Sequence, residues 1–408
     1  MAKKAKRNSI LKKLPDYTLV YYLAPFLFLS AVMVVFMLSG HNFSAYSYYI
    51  IHYIYTYRHG YISRGLIGEL ISWFTETVTP QITAAAVIIG SFLLIIAASV
   101  CIGFVLNKVK KEKELFWLVF WFIVILCLSP FTFRNYLTAI KIDKFVWAVT
   151  LFAMPLLAYK KVIWLVPPLC VLAIVINPIF LFTSLVALAI PLLQKIHDEK
   201  YSRKMIALCA VTYALCIIAG LASAISEKYV GFANAEEMVR YYFSRYVDEN
   251  GNSVVTRELI QGYGEDLLID FFMPFKELLP TAMKANLTHS DSLKGILFNL
   301  IFFVVPVNAL LIAFWCTCIK NSKAAFQKII FVVCILSPLV AVLPSILSGE
   351  ISKYFSNNVF AQACVMIFFI VSRNEAVLAA VGTVKRKAAG NKVLTAIVVS
   401  YLTLLMIR

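Results

Sequence analysis

Long uninterrupted apolar stretches govern what this chain can fold into. They recur near 18–39, 83–107, 115–133, 145–158, 162–176, 178–194, 205–226, 295–318, 326–348, 357–372 and 392–407. A run of about 18 or more apolar residues reads as a membrane-spanning helix. Lipid offers no partner to backbone N–H and C=O groups, so only helices and closed barrels cross it. The runs lack the period-two alternation of a barrel strand, which selects helices. Composition agrees, with 61% hydrophobic and 14% charged residues among 408, against about 25% charged in soluble domains. Mean hydropathy is +0.83. The expected fold is all-α: a polytopic helical membrane protein with about eleven transmembrane helices and one large extracytoplasmic loop.

A formal charge of +17 would suit a nucleic-acid partner. The basic residues, however, sit in short clusters between apolar runs and form no continuous patch, so the lipid bilayer is the expected partner and nucleic acid is not. With the N-terminus in the cytoplasm, the inner segments hold 24 of 38 Lys and Arg but only 6 of 21 acidic residues. That bias follows the positive-inside tendency and orients the chain, so most of the net charge is topology. The expected divisions are a basic cytoplasmic terminus (1–17), an N-terminal transmembrane bundle (18–226) with an amphipathic outer segment (41–80), an extracytoplasmic loop (227–294) and C-terminal spans (295–408).

Several chemistries find no residues to support them. All nine cysteines lie in apolar runs, against a disulfide framework or a Cys-x-x-Cys metal site. His197–Asp198–Glu199 sit among lysines and read as a solvated loop. The sequence holds no Walker A, GxGxxG, HExxH or GxSxG pattern. Neither metal nor cofactor is expected. No small-residue cleavage site follows the first apolar run, so that span is expected to be retained. Asn177–Pro178 between two short runs predicts a tight turn, and the short runs 145–158 and 162–176 are alternatively re-entrant.

Charge reappears in three segments expected to face outward. The first contains "YRHGYISRGLIGEL", residues 57–70, with Arg58, His59, Arg64 and Glu69. Tyr46, Tyr49, Tyr53 and Tyr57 have helical spacing, which predicts one tyrosine-bearing face of an interfacial helix. That face is either an aromatic belt at the headgroup level or a stacking platform for sugar rings, with Tyr57 and His59 as contacts. Gly65 and Gly68 permit close approach of a backbone or a head group. Arg64 at the mouth of an apolar helix needs an anion, either Glu69 or a ligand. Guanidinium groups bind phosphate oxygens in a two-pronged way that an ammonium cannot.

The second segment, "RNYLTAIKIDK", carries Arg134 and Asp143, and reads either as a solvated loop or as part of a site. The third is the long loop. Asn234 followed by Glu237 predicts a helix over 235–247 carrying Arg240, Tyr241 and Arg245. "DENGN" predicts a turn, and a second helix with Arg257 should follow.

Chemistry on an outer face has no nucleotide supply and must use a preactivated donor. A lipid-linked sugar qualifies, because its pyrophosphate is a leaving group that arginines can stabilise while a carboxylate takes the proton of the attacking hydroxyl. The layout and the "SRGLIG" element resemble the Wzy-type O-antigen and capsular polysaccharide polymerases, integral membrane glycosyltransferases of lipopolysaccharide and capsule synthesis. Ser63 stands where many such elements have a second arginine.

The resemblance implies block transfer at the outer face of the bacterial inner membrane. Undecaprenyl-pyrophosphate-linked oligosaccharide would be the substrate, with a flippase and a chain-length regulator of the same pathway as partners. On this reading Arg64, Arg240 and Arg245, then Arg58, Arg134 and Arg257, contact pyrophosphate. Asp143 or Glu69 is the base. Two alternatives stay open: a polyprenyl-phosphate-dependent transferase adding one sugar, and a lipid-linked oligosaccharide transporter without enzymatic activity.

Overall fold

The computed structural model describes residues 17–38, 50–129, 133–138, 141–253, 300–348 and 351–407, with isolated positions between 272 and 298. Among these residues the chain is helical, and its extended contacts are two isolated bridges, Val78 to Tyr246 and Val247 to Ser253. The N-terminal half contains α1 (Val20–Leu38), α2 (Ile51–Ile54), α3 (Leu66–Ser72), α4 (Pro80–Val109), α5 (Lys113–Leu128), α6 (Phe133–Thr138), α7 (Asp143–Leu156) and α8 (Val166–Ile176). It continues through α9 (Val186–Asp198), α10 (Arg203–Ser226) and α11 (Ala235–Ser244). The C-terminal part contains α12 (Val305–Asn321), α13 (Ala325–Leu336), α14 (Val342–Ser348), α15 (Ile351–Val371), α16 (Glu375–Gly390) and α17 (Lys392–Ile407).

Among the described residues five stretches are long and apolar enough to cross a membrane: Pro80–Val109, Arg203–Tyr229, Leu300–Asn321, Ala325–Ser345 and Lys353–Val371. The protein is thus a helical membrane protein. Side chains such as Leu27, Ile89, Ile217 and Ile218 stand exposed on these and neighbouring helices, as a lipid-facing surface requires.

The 30-residue α4 organises the bundle, about 45 Å long at 1.5 Å per residue. Thr79 caps it by accepting the Ile82 amide, and Pro80 at the first turn lacks the N–H that would otherwise be left over. It packs against α1 and α7. Gly90 sets the approach of α7: a Cβ there would lie 2.5 Å from the Phe145 ring and 2.9 Å from the Lys144 stem. Small residues at such crossings let helices in lipid approach closely. Asn177 accepts the Ile179 amide and caps the 3-10 turn beginning at Pro178, forming the expected tight turn.

Two features depart from the sequence reading. The interval between the apolar runs 357–372 and 392–407 is itself largely helical: α16 fills most of it, capped by Asn374 accepting the Val377 amide. Lys385 of this helix pairs with Glu114 at 2.7 Å, and Arg373 just before it pairs with Glu112 at 2.8 Å. The expected tyrosine face is also not a continuous helix. α2 ends at Ile54, Tyr55 is extended and Tyr57–His59 form a 3-10 turn. Tyr46 and Tyr49 lie outside the described residues, and Tyr53 is fully buried. Tyr53 is therefore core, not a platform.

Candidate functional site

The segment around residues 53–78 and the loop segment 227–247 fold against each other as one polar shelf. α11 forms as its cap predicts, because Asn234 Oδ1 accepts the Glu237 amide and the Glu237 carboxylate accepts the Ala233 amide. Its buried face is Ala235, Met238, Val239, Tyr242 and Phe243. Tyr242 donates its hydroxyl to the Thr56 carbonyl at 3.0 Å. The Gly231 amide donates to the His59 carbonyl at 2.6 Å, and Val78 exchanges backbone bonds with Arg245 and Val247. The Glu227 carboxylate accepts the Ser63 amide at 3.0 Å, and Tyr61 shares a hydrogen bond with Ser223. Beyond α11, Asp248 accepts the amides of Asn250 and Asn252, closing the "DENGN" turn.

The two glycines of "RGLIG" serve backbone packing. A Cβ on Gly68 would fall 2.1 Å from the Tyr55 carbonyl oxygen, and one on Gly65 would fall 2.8 Å from the Tyr57 ring. α3 can lie on the 53–57 segment only because both positions lack a side chain. Arg64 precedes α3 in left-handed backbone, φ 67°, half-buried at the turn. Glu69 turns back from α3 to accept the Tyr57 amide at 2.8 Å and the Trp73 indole at 3.3 Å.

Arg245 closes the shelf. Its Nε donates to the Glu76 carbonyl at 2.9 Å and its Nη1 to the Ile54 carbonyl at 2.6 Å. The residue is 7% exposed. Its Nη2 is buried with no hydrogen-bond partner among the described residues, and so is the Tyr57 hydroxyl. The Arg245 pKa is lowered, chiefly by burial. Tyr241 acts against that shift, the nearby Arg58 cation adds to it, and Tyr242 and Glu69 oppose it. The Tyr57 pKa is raised by burial, then by Tyr61 and Glu69. Among the described residues this buried guanidinium is held by two carbonyl oxygens, with no carboxylate to neutralise it. No family model, curated protein or solved structure matches this chain. The site is therefore read from its own geometry.

The other sequence-predicted residues divide. Arg58 is exposed on the shelf, 3.8 Å from Glu76. His59 packs its ring on Phe232 and Tyr241, centroids 4.6 and 4.4 Å away, and Tyr57 stacks on Tyr61 at 5.5 Å. Arg240 is on the opposite, exposed face of α11, bound to Glu236 at 2.8 Å with both side chains about 80% exposed. That is an ordinary surface pair one turn apart, turned away from the shelf. Arg134 is carried by α6, which packs among α1, α4, α5 and α7. Arg257 lies outside the described residues.

Asp143 is in the interior of the bundle instead of on the shelf. It is 3% exposed, accepts the Asn177 amide at 2.9 Å and faces Lys353 at 3.8 Å. Around it runs a network that sequence reasoning missed. Lys144 is fully buried and donates to Ser91 at 2.8 Å. Asn357 of α15 accepts from Tyr136 and from the Trp147 indole. Gln362 links Asn358 to the Trp315 indole. The available signal was the row Lys353, Asn357, Asn358, Gln362 with helical spacing in an otherwise apolar run.

An apolar cavity of about 880 Å³ adjoins the shelf, open along one side between α3, α4, α7 and α8. Leu66 and Leu70 of α3 line it, so the helix that carries Glu69 also forms the head of the groove.

Proposed function

We propose that the protein polymerises lipid-linked oligosaccharide repeat units at the outer face of the bacterial cytoplasmic membrane, with undecaprenyl pyrophosphate as the leaving group. The N-terminus is cytoplasmic in this reading, with about eleven apolar stretches in the membrane, of which 145–158 and 162–176 either cross or are re-entrant. One observation carries it: the buried Arg245 guanidinium has no carboxylate partner among the described residues and keeps a nitrogen unbonded, beside exposed Arg58. Charge-assisted bonds from such a pair suit the two phosphates of a pyrophosphate.

The step is a displacement. A hydroxyl of the incoming lipid-linked unit attacks the anomeric carbon of the growing chain. The bond from that carbon to pyrophosphate oxygen breaks, and undecaprenyl pyrophosphate departs with the electron pair. Arg245 and Arg58 stabilise the departing charge. Glu69 takes the hydroxyl proton. Of the two candidate carboxylates it is the one on the shelf, since Asp143 is closed against Asn177 and Lys353. His59 and Tyr241 offer ring faces to sugar.

The test reconstitutes the full chain in vesicles with pyrophosphate-linked repeat units and resolves products by length. The expected result is a ladder, lost in Arg245→Ala. A single added sugar would replace polymerisation with the one-sugar transferase. Movement of labelled lipid across the vesicle without a new glycosidic bond would replace it with a transporter.

A further inference from the structure

We propose that the groove between α3, α4, α7 and α8 holds the head-proximal part of a polyprenyl chain, taken in sideways from the bilayer. This rests on the reading of the shelf as a pyrophosphate site. Among the described residues Thr75 is the one lining residue with a polar side chain. The lining leucines, isoleucines and phenylalanines include Leu70, Ile89, Leu93, Phe152 and Leu172, which stand exposed along its open side. On helices that cross a bilayer these side chains face lipid, so a lipid chain can enter the groove sideways.

Dimensions and charge narrow the occupant. The lining along α4 runs from Ile82 to Ala97, about 22 Å at 1.5 Å per residue, more than half the roughly 30 Å hydrocarbon core. A long chain running inward from a head group at the shelf fits that course; a small soluble ligand does not. The volume of about 880 Å³ is near the upper end for pockets that take a drug-sized ligand, roughly 300–1,000 Å³. It therefore accommodates the first few isoprene units, and the remainder of the carrier stays in lipid. α3 fixes the register: Leu66 and Leu70 touch the chain while Glu69, on the same helix, belongs to the shelf. The cations Arg58 and Arg245 supply the complement to an anionic head at that end.

The test uses the full chain in vesicles of phosphatidylethanolamine and phosphatidylglycerol. A polyprenyl pyrophosphate with a photoactivatable diazirine in its head-proximal units is one probe; phosphatidylglycerol with a diazirine in its acyl chain is the other. Polyprenyl adducts should concentrate in 66–75, 82–97, 145–152 and 169–176. Filling the groove with Ile89→Trp, or independently with Ala85→Trp, should cut them about tenfold, equivalent to ~1.4 kcal/mol of binding. Ile218→Trp, on an exposed position of α10 outside the groove, should leave them unchanged. Even labelling around all exposed helices would overturn the proposal, as would equal labelling by the phosphatidylglycerol probe. A ladder of products with an unlabelled groove overturns this inference alone. A labelled groove with no glycosidic bond supports it while removing the polymerase reading.

Discussion

Arg245 on the shelf and Asp143 in the bundle interior are both charged residues almost wholly withdrawn from solvent, and they are housed in opposite ways. Asp143 has a lysine across from it and an asparagine amide on one oxygen. Neighbouring polar side chains, from Tyr136 to Gln362, bond mainly to one another. Among the described residues Arg245 has two carbonyl oxygens as partners and leaves a nitrogen unbonded. In a medium of low dielectric a closed network fixes helix packing, whereas an open cation is poised for an anion that arrives later. The same contrast separates two arginines five residues apart: Arg240 is matched to Glu236 in solvent, and Arg245 has no acid partner among the described residues.

Substitutions should break these two regions differently. Asp143→Ala removes the acid opposite Lys353 and should cost roughly 3–5 kcal/mol of stability, the usual result of removing one member of a buried pair. Thermal unfolding in detergent measures it. Adding Lys353→Met should restore much of the loss, and the double variant should still make a ladder. Absence of any ladder from a well-folded double variant would give the interior network a direct part in the chemistry.

Arg245→Ala should cost about 3 kcal/mol, from two charged hydrogen bonds at roughly 1.5 kcal/mol or more each. Unlike the interior variant, it should abolish product even below its unfolding temperature. Gly68→Ala, with its Cβ driven to within 2.1 Å of the Tyr55 oxygen, should destabilise by about 1–3 kcal/mol through overpacking and loosen α3 from the shelf. Limited proteolysis near residue 66 reads that loosening. Arg240→Ala should change stability by less than about 0.5 kcal/mol and leave the product ladder intact.

Protonation gives the mildest contrast. The Tyr57 pKa is raised above the ordinary 10.0 by burial. A raised tyrosine pKa leaves folding unaffected below the unfolded value and destabilises the fold as pH climbs past it. Stability should therefore be flat in this group up to about pH 10 and decline above, with the Tyr57 phenolate signal delayed in an absorbance titration relative to the Tyr57→Phe difference. A phenolate at Tyr57 forming at the ordinary pH would mean that its hydroxyl is not enclosed.

The interior and the shelf were also unequally legible in sequence. The apolar run 83–107 and the Asn234–Glu237 start depend on neighbouring residues alone, so α4 and α11 could be read directly. Arg240 and Arg245 could not be told apart that way. Which one turns inward depends on where α11 stops and on the carbonyls of Ile54 and Glu76, 191 and 169 residues away. Asp143 was drawn to the outer loop by its lysine neighbours, and only the packing of α7 on α4 and of α15 beside it buries the residue. The glycines of "RGLIG" suggested an approach by backbone or ligand; the fold assigns them to backbone. The break after Ile54 ended the expected tyrosine helix, because three of the next five residues, Tyr55, Tyr57 and His59, find aromatic partners in the shelf.

The most direct test of the open-cation account is equilibrium binding of a short-chain polyprenyl-pyrophosphate-linked disaccharide to the purified full chain, comparing wild type with Arg58→Ala and Arg245→Lys. Loss of a charge-assisted contact worth about 1.5–3 kcal/mol predicts affinity at least about tenfold weaker in each variant, with Arg240→Ala unchanged. Wild-type affinity in both shelf variants would contradict the claim that this pair of arginines receives the pyrophosphate.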